Sequence, residues 1–357
     1  MPDAKLSIDW YRSPVDKPML RELTSRSDLR GAFQAVGHLA LLALLGSIAA
    51  AAQLASAWPL LLGALFLYGM AARFTVNALH ELAHGTVFRT PALNSLFCNI
   101  FAFLSQVNRH YFWLSHRQHH RYSLHPPLDQ EVVEPELHNV SNFLRHGILS
   151  LDLRDSLQPL IEQYNLSLGR SRGEWQRRLF ALATRDELAK IRRFSRVTLA
   201  LHLVVAVMAI AAGLWIVPVL LILNRQFGAL PFLLCNNSQH AGLQDGVDDF
   251  RLCSRTFYLA QPLRFLYWNM NYHIEHHMYP AVPCYRLARL HSLIQEDLPP
   301  ALDGLRSVWK EITYAIDRQR LDSSFRLRPV ISSSTPGYCR PLRAAATAGP
   351  PTSSHPR

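Results

Sequence analysis

Two long stretches of the chain carry almost no charge. No Lys, Arg, Asp or Glu occurs between residues 31 and 72, and Arg225 is the only such residue between 197 and 244. Uncharged, mostly apolar runs of about 18 residues or more are typical of membrane-spanning helices. Residues 31–72 would extend for about 63 Å as one straight helix, twice the roughly 30 Å of a bilayer core. The first stretch therefore predicts a hairpin of two helices.

Tryptophan and proline residues mark the turn of each hairpin. Trp58 and Pro59 interrupt the first stretch, and Trp215 and Pro218 interrupt the second. Proline favours the first position of a new helix, and tryptophan favours the membrane interface. These residues predict an all-α integral membrane protein with four transmembrane helices in two hairpins, at about 36–55, 59–79, 197–215 and 218–235. Because a charge inside a span is costly, Arg225 should face a polar interior or mark a break in the fourth helix.

The distribution of charge predicts the orientation of these spans. Residues 1–30 are polar and basic, whereas both hairpin turns are uncharged. The positive-inside rule then places a cytosolic N-terminal arm at 1–30 and the turns outside, so that both termini are cytoplasmic. The membrane domain covers 31–328, and its short apolar stretch 92–105 fits a re-entrant or interfacial segment better than a span. Residues 329–357 have the composition of a disordered tail.

Charge and cysteine content narrow the classes of partner. The net charge of +11 and the pI near 9.7 suit an anionic membrane leaflet or an acidic protein. We find no nucleic-acid-binding motif. The arginine-dense residues 170–196 are either a docking surface for the leaflet or an electron donor, or an ordinary positive-inside charge run. The five cysteines form no C-x-x-C pair, so no disulfide framework or zinc ribbon is expected. The N-terminus lacks the pattern of a cleaved signal peptide.

Three short clusters contain eight of the seventeen histidines. Histidines three or four residues apart lie on one face of a helix, so each cluster can direct several ring nitrogens towards one point. Imidazole is a good ligand for iron, zinc, copper and nickel. The clusters therefore predict a metal site on the cytosolic side, where all three are expected to lie. They are His80-Glu-Leu-Ala-His84, His116-Arg-Gln-His119-His120 and His273-Ile-Glu-His276-His277.

The number of histidines favours two metal ions over one. Eight imidazoles exceed the ligand number of a single ion, and open positions for oxygen chemistry favour iron over zinc. One alternative is a membrane-embedded zinc protease, since His80-Glu81-x-x-His84 matches H-E-x-x-H. A catalytic zinc needs only three protein ligands, which argues against it. Another alternative is a catalytically silent membrane protein that binds metal or lipid.

The three clusters resemble the histidine boxes of the membrane fatty acid desaturase family. The resemblance covers roughly residues 31–300 and includes the run from Asn271 to Pro280 around the third box. It implies a cytosolic helical cap with a histidine-ligated di-iron centre, and O2-dependent desaturation of an acyl chain with electrons from a separate donor. Related enzymes with the same boxes hydroxylate, so a hydroxylase or ketolase acting on an acyl, alkane, sphingoid or carotenoid substrate stays open.

Residues other than the eight box histidines also have candidate roles, of which that of His240 comes from the resemblance to the family. His240 is the expected ninth ligand, or else a polar cap at a helix end. Glu81 and Glu275 are expected to accept the second ring N–H of a ligand histidine, although Glu275 could equally be a surface residue. Amides that could lie near the metals or hold a water ligand are Asn236, Asn237 and Asn271. Histidines that fit no box, and that we expect to be exposed or structural, are His110, His125, His138 and His146.

Two departures from the family bear on substrate and donor. Box one has three intervening residues where the acyl-CoA branch usually has four, which weakly favours a lipid-linked acyl substrate. There is no His-Pro-Gly-Gly stretch, so no fused cytochrome b5 domain is expected. Electrons should come from a ferredoxin or a free cytochrome b5, and a basic surface would suit an acidic donor.

Overall fold

The computed structural model describes residues 7–131 and 153–331, and these are mostly helical. The first part of the described chain contains six helices: α1 (Lys17–Leu23), α2 (Asp28–Leu54), α3 (Trp58–Arg73), α4 (Thr75–Ala83), α5 (Pro91–Ser105) and α6 (Arg109–Tyr122). The helices that follow are α7 (Leu153–Ser167), α8 (Gly173–Leu182), α9 (Arg185–Ala211), α10 (Ile216–Ile222) and α11 (Leu230–Asn237). The remaining helices are α12 (Phe250–Cys253), α13 (Gln261–Leu266), α14 (His273–Met278), α15 (Leu287–Ile294) and α16 (Gly304–Gln319). Two short strands, β1 (Phe257–Tyr258) and β2 (Leu302–Asp303), pair in parallel.

Within the described residues, three helices are long and apolar enough to cross a membrane. They are Asp28–Leu54, Trp58–Ala83 (α3 with α4) and Arg185–Ala211. Their outward faces carry large exposed apolar side chains, among them Leu44, Leu62 and Val207. Such a surface is expected against lipid and is unusual against water. The helix Trp58–Ala83 continues past the predicted end of the second span and carries His80.

Polar caps explain why two of these helices begin before the predicted spans. The Ser27 side chain accepts a hydrogen bond from the backbone N–H of Arg30, which starts α2 at Asp28. Thr184 and Glu187 form a capping box that starts α9 at Arg185, about three turns before the apolar run. Hydropathy detects only the apolar part of each helix, and the caps define its first turn.

The fourth predicted span is not one continuous helix. Residues 216–237 form α10, a 3₁₀ turn at Asn224–Gln226 and α11. Gly228 adopts a left-handed φ of 61°, which glycine tolerates without strain. The break packs closely on α3, where a Cβ at Gly69 would lie 2.3 Å from the carbonyl oxygen of Phe227. The segment therefore bends around α3, and the predicted helix 218–235 is corrected to two short helices with a break at Arg225.

Helices α4, α6 and α14, which carry the three histidine boxes, come together with the N-terminal segment, and we call this region the cap. The backbone N–H of Tyr11 donates to the carbonyl of Asp248, and the Tyr11 hydroxyl donates to Asp297 at 2.8 Å. The ring of Trp10 stacks on Phe250 at 4.0 Å. The N-terminal segment 7–30 is thus a packed part of the cap. Of the predicted tail, only 329–331 fall within the described residues.

Candidate metal centre

Nine histidines converge in two adjacent groups. In each group the ring nitrogens that could serve as ligands all lie within 4.8 Å of one another. The first group draws on all three boxes, and the second combines boxes two and three with His240. The first group is His80, His84, His116, His120 and His276, and the second is His119, His240, His273 and His277. These are the same nine histidines that the sequence singles out as candidate ligands.

Helix geometry explains how one box serves both groups. In α6, His116 and His120 are four residues apart and share one face, whereas His119 is rotated by about 100° from His120. His116 and His120 accordingly enter the first group and His119 the second. Box three on α14 has the same spacing but the opposite assignment, because its middle histidine, His276, enters the first group. Each H-x-x-H-H motif thus contributes to both groups.

The ring nitrogens approach one another closely. His80 Nε2 lies 2.9 Å from His276 Nε2, and His273 Nε2 lies 2.9 Å from His240 Nε2. Burial lowers the pKa of His276 and His273 well below the usual range, and lowers that of His240 to about 3. These rings are therefore neutral, and neutral imidazole is the form that binds metals.

Two carboxylates after α6 orient the box-two histidines. Asp129 Oδ2 accepts from His119 Nδ1 at 2.8 Å, and Glu131 Oε1 accepts from His116 Nδ1 at 2.7 Å. Each bond fixes Nδ1 as the protonated nitrogen and turns Nε2 towards the histidine group. Burial opposes ionisation of Asp129, but the His119 charge and backbone N–H groups lower its pKa to about 2. Sequence reasoning missed both residues, because no motif links them to rings 10 and 15 positions away.

The two glutamates inside the boxes have different surroundings. Glu81 is 1% exposed, and its Oε1 lies 3.2 Å from Nδ1 of His276, although the two groups are not aligned as a hydrogen bond. Glu275 is fully buried, so the surface alternative for it is wrong. Its carboxylate accepts from Thr256 Oγ1 at 2.6 Å and contacts Nδ1 of His291. The expected contact of Glu275 with a ligand histidine is thus replaced by these two partners, which connect box three to the residue before β1 and to α15.

The three amides predicted near the site make different contacts. Asn237 donates to the carbonyl of Leu233 within its own helix. Asn271 is fully buried and donates to Phe257, while its Oδ1 has no partner among the described residues. Asn236 lines the cavity described below. His110 packs against Phe194 and His125 against Trp10, both away from the two groups. The other two histidines that we expected to be exposed or structural, His138 and His146, lie outside the described residues.

A cavity of about 490 Å³ reaches the histidine groups. His80 and His116 of the first group and His119 and His273 of the second contribute to its wall. Arg225 also lines the cavity. This residue therefore lies at the helix break and faces a polar interior, so both expectations for it apply. Helices α6, α7 and α8 supply much of the remaining wall. A ligand in this cavity would contact both histidine groups.

The donor set fits two transition-metal ions. Five imidazoles converge on one centre and four on the other. Lone pairs that converge in a buried space repel one another unless they share a proton or a metal. All-nitrogen ligation suits iron and zinc alike. The three-ligand protease alternative fits poorly, because His80 and His84 share their group with three further histidines. Glu81, its required base, does not line the cavity.

Comparisons with known proteins identify the family of this chain. No curated protein matched it. The family model for fatty acid desaturase matches residues 56–309, which is 254 of the 357 residues and includes all three histidine boxes and His240. With its apolar helices, this match indicates a membrane protein and an oxidoreductase of the desaturase or hydroxylase type. The chain belongs to the fatty acid desaturase family.

Proposed function

We propose that this protein is an O2-dependent desaturase that introduces a C=C bond into a lipid-linked fatty acyl chain. The observation that carries the proposal is the pair of histidine groups beside one cavity. The overall reaction converts –CH2–CH2– to –CH=CH–, and O2 is reduced to two waters with two electrons and two protons. The electrons come from a separate redox protein of the ferredoxin or cytochrome b5 type.

Nine histidines would hold two irons: five in the first group and four in the second. Two irons held in this way supply the activation of O2 that is needed to break an unactivated C–H bond. Asp129 and Glu131 hold the protons at Nδ1 of His119 and His116, so that Nε2 stays free to bind. Glu81 is proposed to do the same for His276, and Asn271 to hold a water through its free Oδ1. Glu275 ties box three to the side chains of Thr256 and His291, and Asn237 donates to the backbone carbonyl of Leu233.

We further propose a topology in which the broken segment 216–237 completes a second hairpin with α9. The membrane then contains four spans, and both termini and the site face the cytoplasm. The domain division follows: an N-terminal arm at 1–30, a membrane domain at 31–328 and a tail at 329–357. The arrangement is supported by the uncharged hairpin turns and by the basic segments that flank the apolar helices.

The first experiment replaces one histidine in each group. His276→Ala and His119→Ala should each lower iron content below two per chain and abolish O2-dependent loss of two hydrogens from membrane lipids, measured by mass spectrometry. His110→Ala on the same helix as His119 is the matched control and should retain iron and activity. Retention of iron and turnover in both site variants would refute the assignment of the site. One zinc per wild-type chain would revive the protease alternative.

Lipid mass also separates desaturation from the hydroxylase alternative. A hydroxylase on the same site inserts one oxygen atom, so the product gains sixteen mass units where a desaturase product loses about two. Both outcomes require O2 and the same histidines. A protein that binds iron and consumes no O2 with any lipid extract would instead be a silent metal-binding member of the family.

A further inference from the structure

A groove that includes none of the nine histidines lies beside the start of α2. It is bounded by the first turns of α2 and by residues 261–288, which include α13 and the start of α15. Its volume of about 540 Å³ lies within the range of small-molecule sites, about 300–1,000 Å³. Two arginines, three amides and three aromatic residues make up most of its wall, and no acidic residue of the described chain contributes to it.

The two arginines give the groove a positive charge. The guanidinium of Arg30 lies over the ring of Tyr285, 5.9 Å from its centroid. The guanidinium of Arg264 donates to the amide oxygen of Gln261. Both partners are uncharged residues of the same wall. In the part of the chain that the structure describes, neither arginine forms an ion pair with an acidic residue.

The acidic residues on the N-terminal side of the groove are bound elsewhere. Asp28 accepts from the backbone N–H and the hydroxyl of Thr90 at 2.9 and 2.8 Å. Glu22 forms an ion pair with Arg289. A ligand with its own negative charge would therefore supply the counter-charge that the wall lacks. A phosphate suits this role, because its oxygens accept two parallel hydrogen bonds from a guanidinium group.

The groove lies where the first apolar span begins. Arg30 is the last charged residue before the uncharged run 31–72. Leu29 is 82% exposed and Phe33 is 74% exposed, and both line the groove. Leu44 follows Phe33 by eleven residues on the same face of α2 and is 58% exposed. An exposed apolar stripe thus leads from the groove along the span, and an acyl chain can follow it while a charged group stays in the groove.

We propose that this groove binds an anionic phospholipid of the surrounding membrane, with its phosphate at Arg30 and Arg264 and one acyl chain along α2 over Phe33. A zwitterionic lipid fits less well, because its ammonium group would meet two guanidinium groups and no carboxylate. Under the proposed topology this end of α2 faces the cytoplasm, where basic pockets between membrane helices typically bind acidic headgroups. Because the groove is separate from the histidine cavity, this lipid is a bound component and not the substrate.

A pair of lipids with identical acyl chains tests the proposal. Native mass spectrometry of the full-length protein in detergent counts the lipids that remain bound during titration with dioleoyl phosphatidylglycerol or dioleoyl phosphatidylcholine. The first phosphatidylglycerol should bind at least about tenfold more tightly than the first phosphatidylcholine, the equivalent of about 1.4 kcal/mol. A large excess of glycerol 3-phosphate, which has no acyl chains, should leave the phosphatidylglycerol bound.

Substitution of the arginines connects the preference to the groove. Arg30→Gln and Arg264→Gln should each lower the preference to about threefold, since an exposed ion pair contributes up to about 1 kcal/mol, and the double variant should abolish it. Arg30 is exposed, so its substitution should leave the midpoint of thermal unfolding unchanged. The double variant Arg185→Gln/Arg193→Gln is the matched control. It removes the same charge from two exposed residues of α9 outside the groove, and the preference should persist.

The other outcomes would overturn the proposal. Equal affinity of the wild type for the two lipids would do so, as would a preference that survives in the double groove variant. Displacement by glycerol 3-phosphate would identify a site for a soluble phosphate instead. A dimer that is lost in the double groove variant would show that a second copy of the chain covers the groove. A preference that depends on both arginines supports the proposal even in a protein that binds no iron and desaturates nothing.

Discussion

Asp129 is the residue outside the boxes on which the geometry of the second histidine group most depends. Its carboxylate accepts from His119 Nδ1 at 2.8 Å and from two backbone N–H groups, those of Leu124 and Glu131, at 2.9 Å. The substitution Asp129→Asn keeps the size of the side chain but removes the charge that makes His119 a stronger ligand. We expect metal affinity to fall by about 10–100-fold, as is typical when a group that orients a ligand histidine is lost. The loss of metal affinity is measured as iron retention during titration with a chelator.

The same substitution at an exposed site is the control. Asp245 contacts Arg326 at 3.1 Å on the surface, so Asp245→Asn should retain iron like the wild type. Iron retention by Asp129→Asn equal to that of the control would show that the carboxylate does not support the ligand. Apart from His240, which the resemblance to the family supplied, sequence spacing could locate the histidines, because helical periodicity relates those within each box. It could not locate Asp129, whose position depends on how the loop after α6 folds back.

At the scale of elements, the close contact between α3 and the break in segment 216–237 depends on the absence of a side chain at Gly69. An added Cβ at Gly69 would lie 2.3 Å from the carbonyl oxygen of Phe227 and 2.8 Å from that of Asn224. Both neighbours are backbone atoms, so Gly69→Ala must displace the break. We expect a loss of stability of about 1–3 kcal/mol, typical of overpacking, and a lower midpoint of thermal unfolding in detergent.

Gly63 supplies the comparison within the same helix. An added Cβ there meets no atom within 4 Å, so Gly63→Ala should leave the midpoint unchanged or slightly raised. Equal midpoints for the two variants would mean that the close contact at Gly69 contributes nothing to thermal stability. The charge-free stretches predicted the three long helices, because hydropathy is a local property. They predicted one fourth helix, in which only Arg225 raised the alternative of a break. The packing of that break against Gly69, more than 150 positions away in the chain, is not a local property.

For the whole molecule, the nine histidines bring distant parts of the sequence together, and metal bound to them would act as a cross-link. The first group joins α4, α6 and α14, and the second joins α6 and α14 to His240 after α11. A metal bound to these groups binds the folded chain and not the unfolded one, so it stabilises the fold by about 2.7 kcal/mol at a hundred times its Kd. Removing it should leave the apolar helices formed and loosen the cap.

We therefore expect that chelation of the iron lowers the midpoint of thermal unfolding, and that re-addition of ferrous iron restores it. His119→Ala should show a smaller shift, because one ligand of the second group is missing, whereas His110→Ala should show the full shift. Hydrogen exchange, measured by mass spectrometry, should rise after chelation in α6 and α14 and stay low in the apolar core of α2. Identical midpoints with and without metal would contradict the cross-link, since two cations held by nine imidazoles from three helices and a loop must stabilise their assembly.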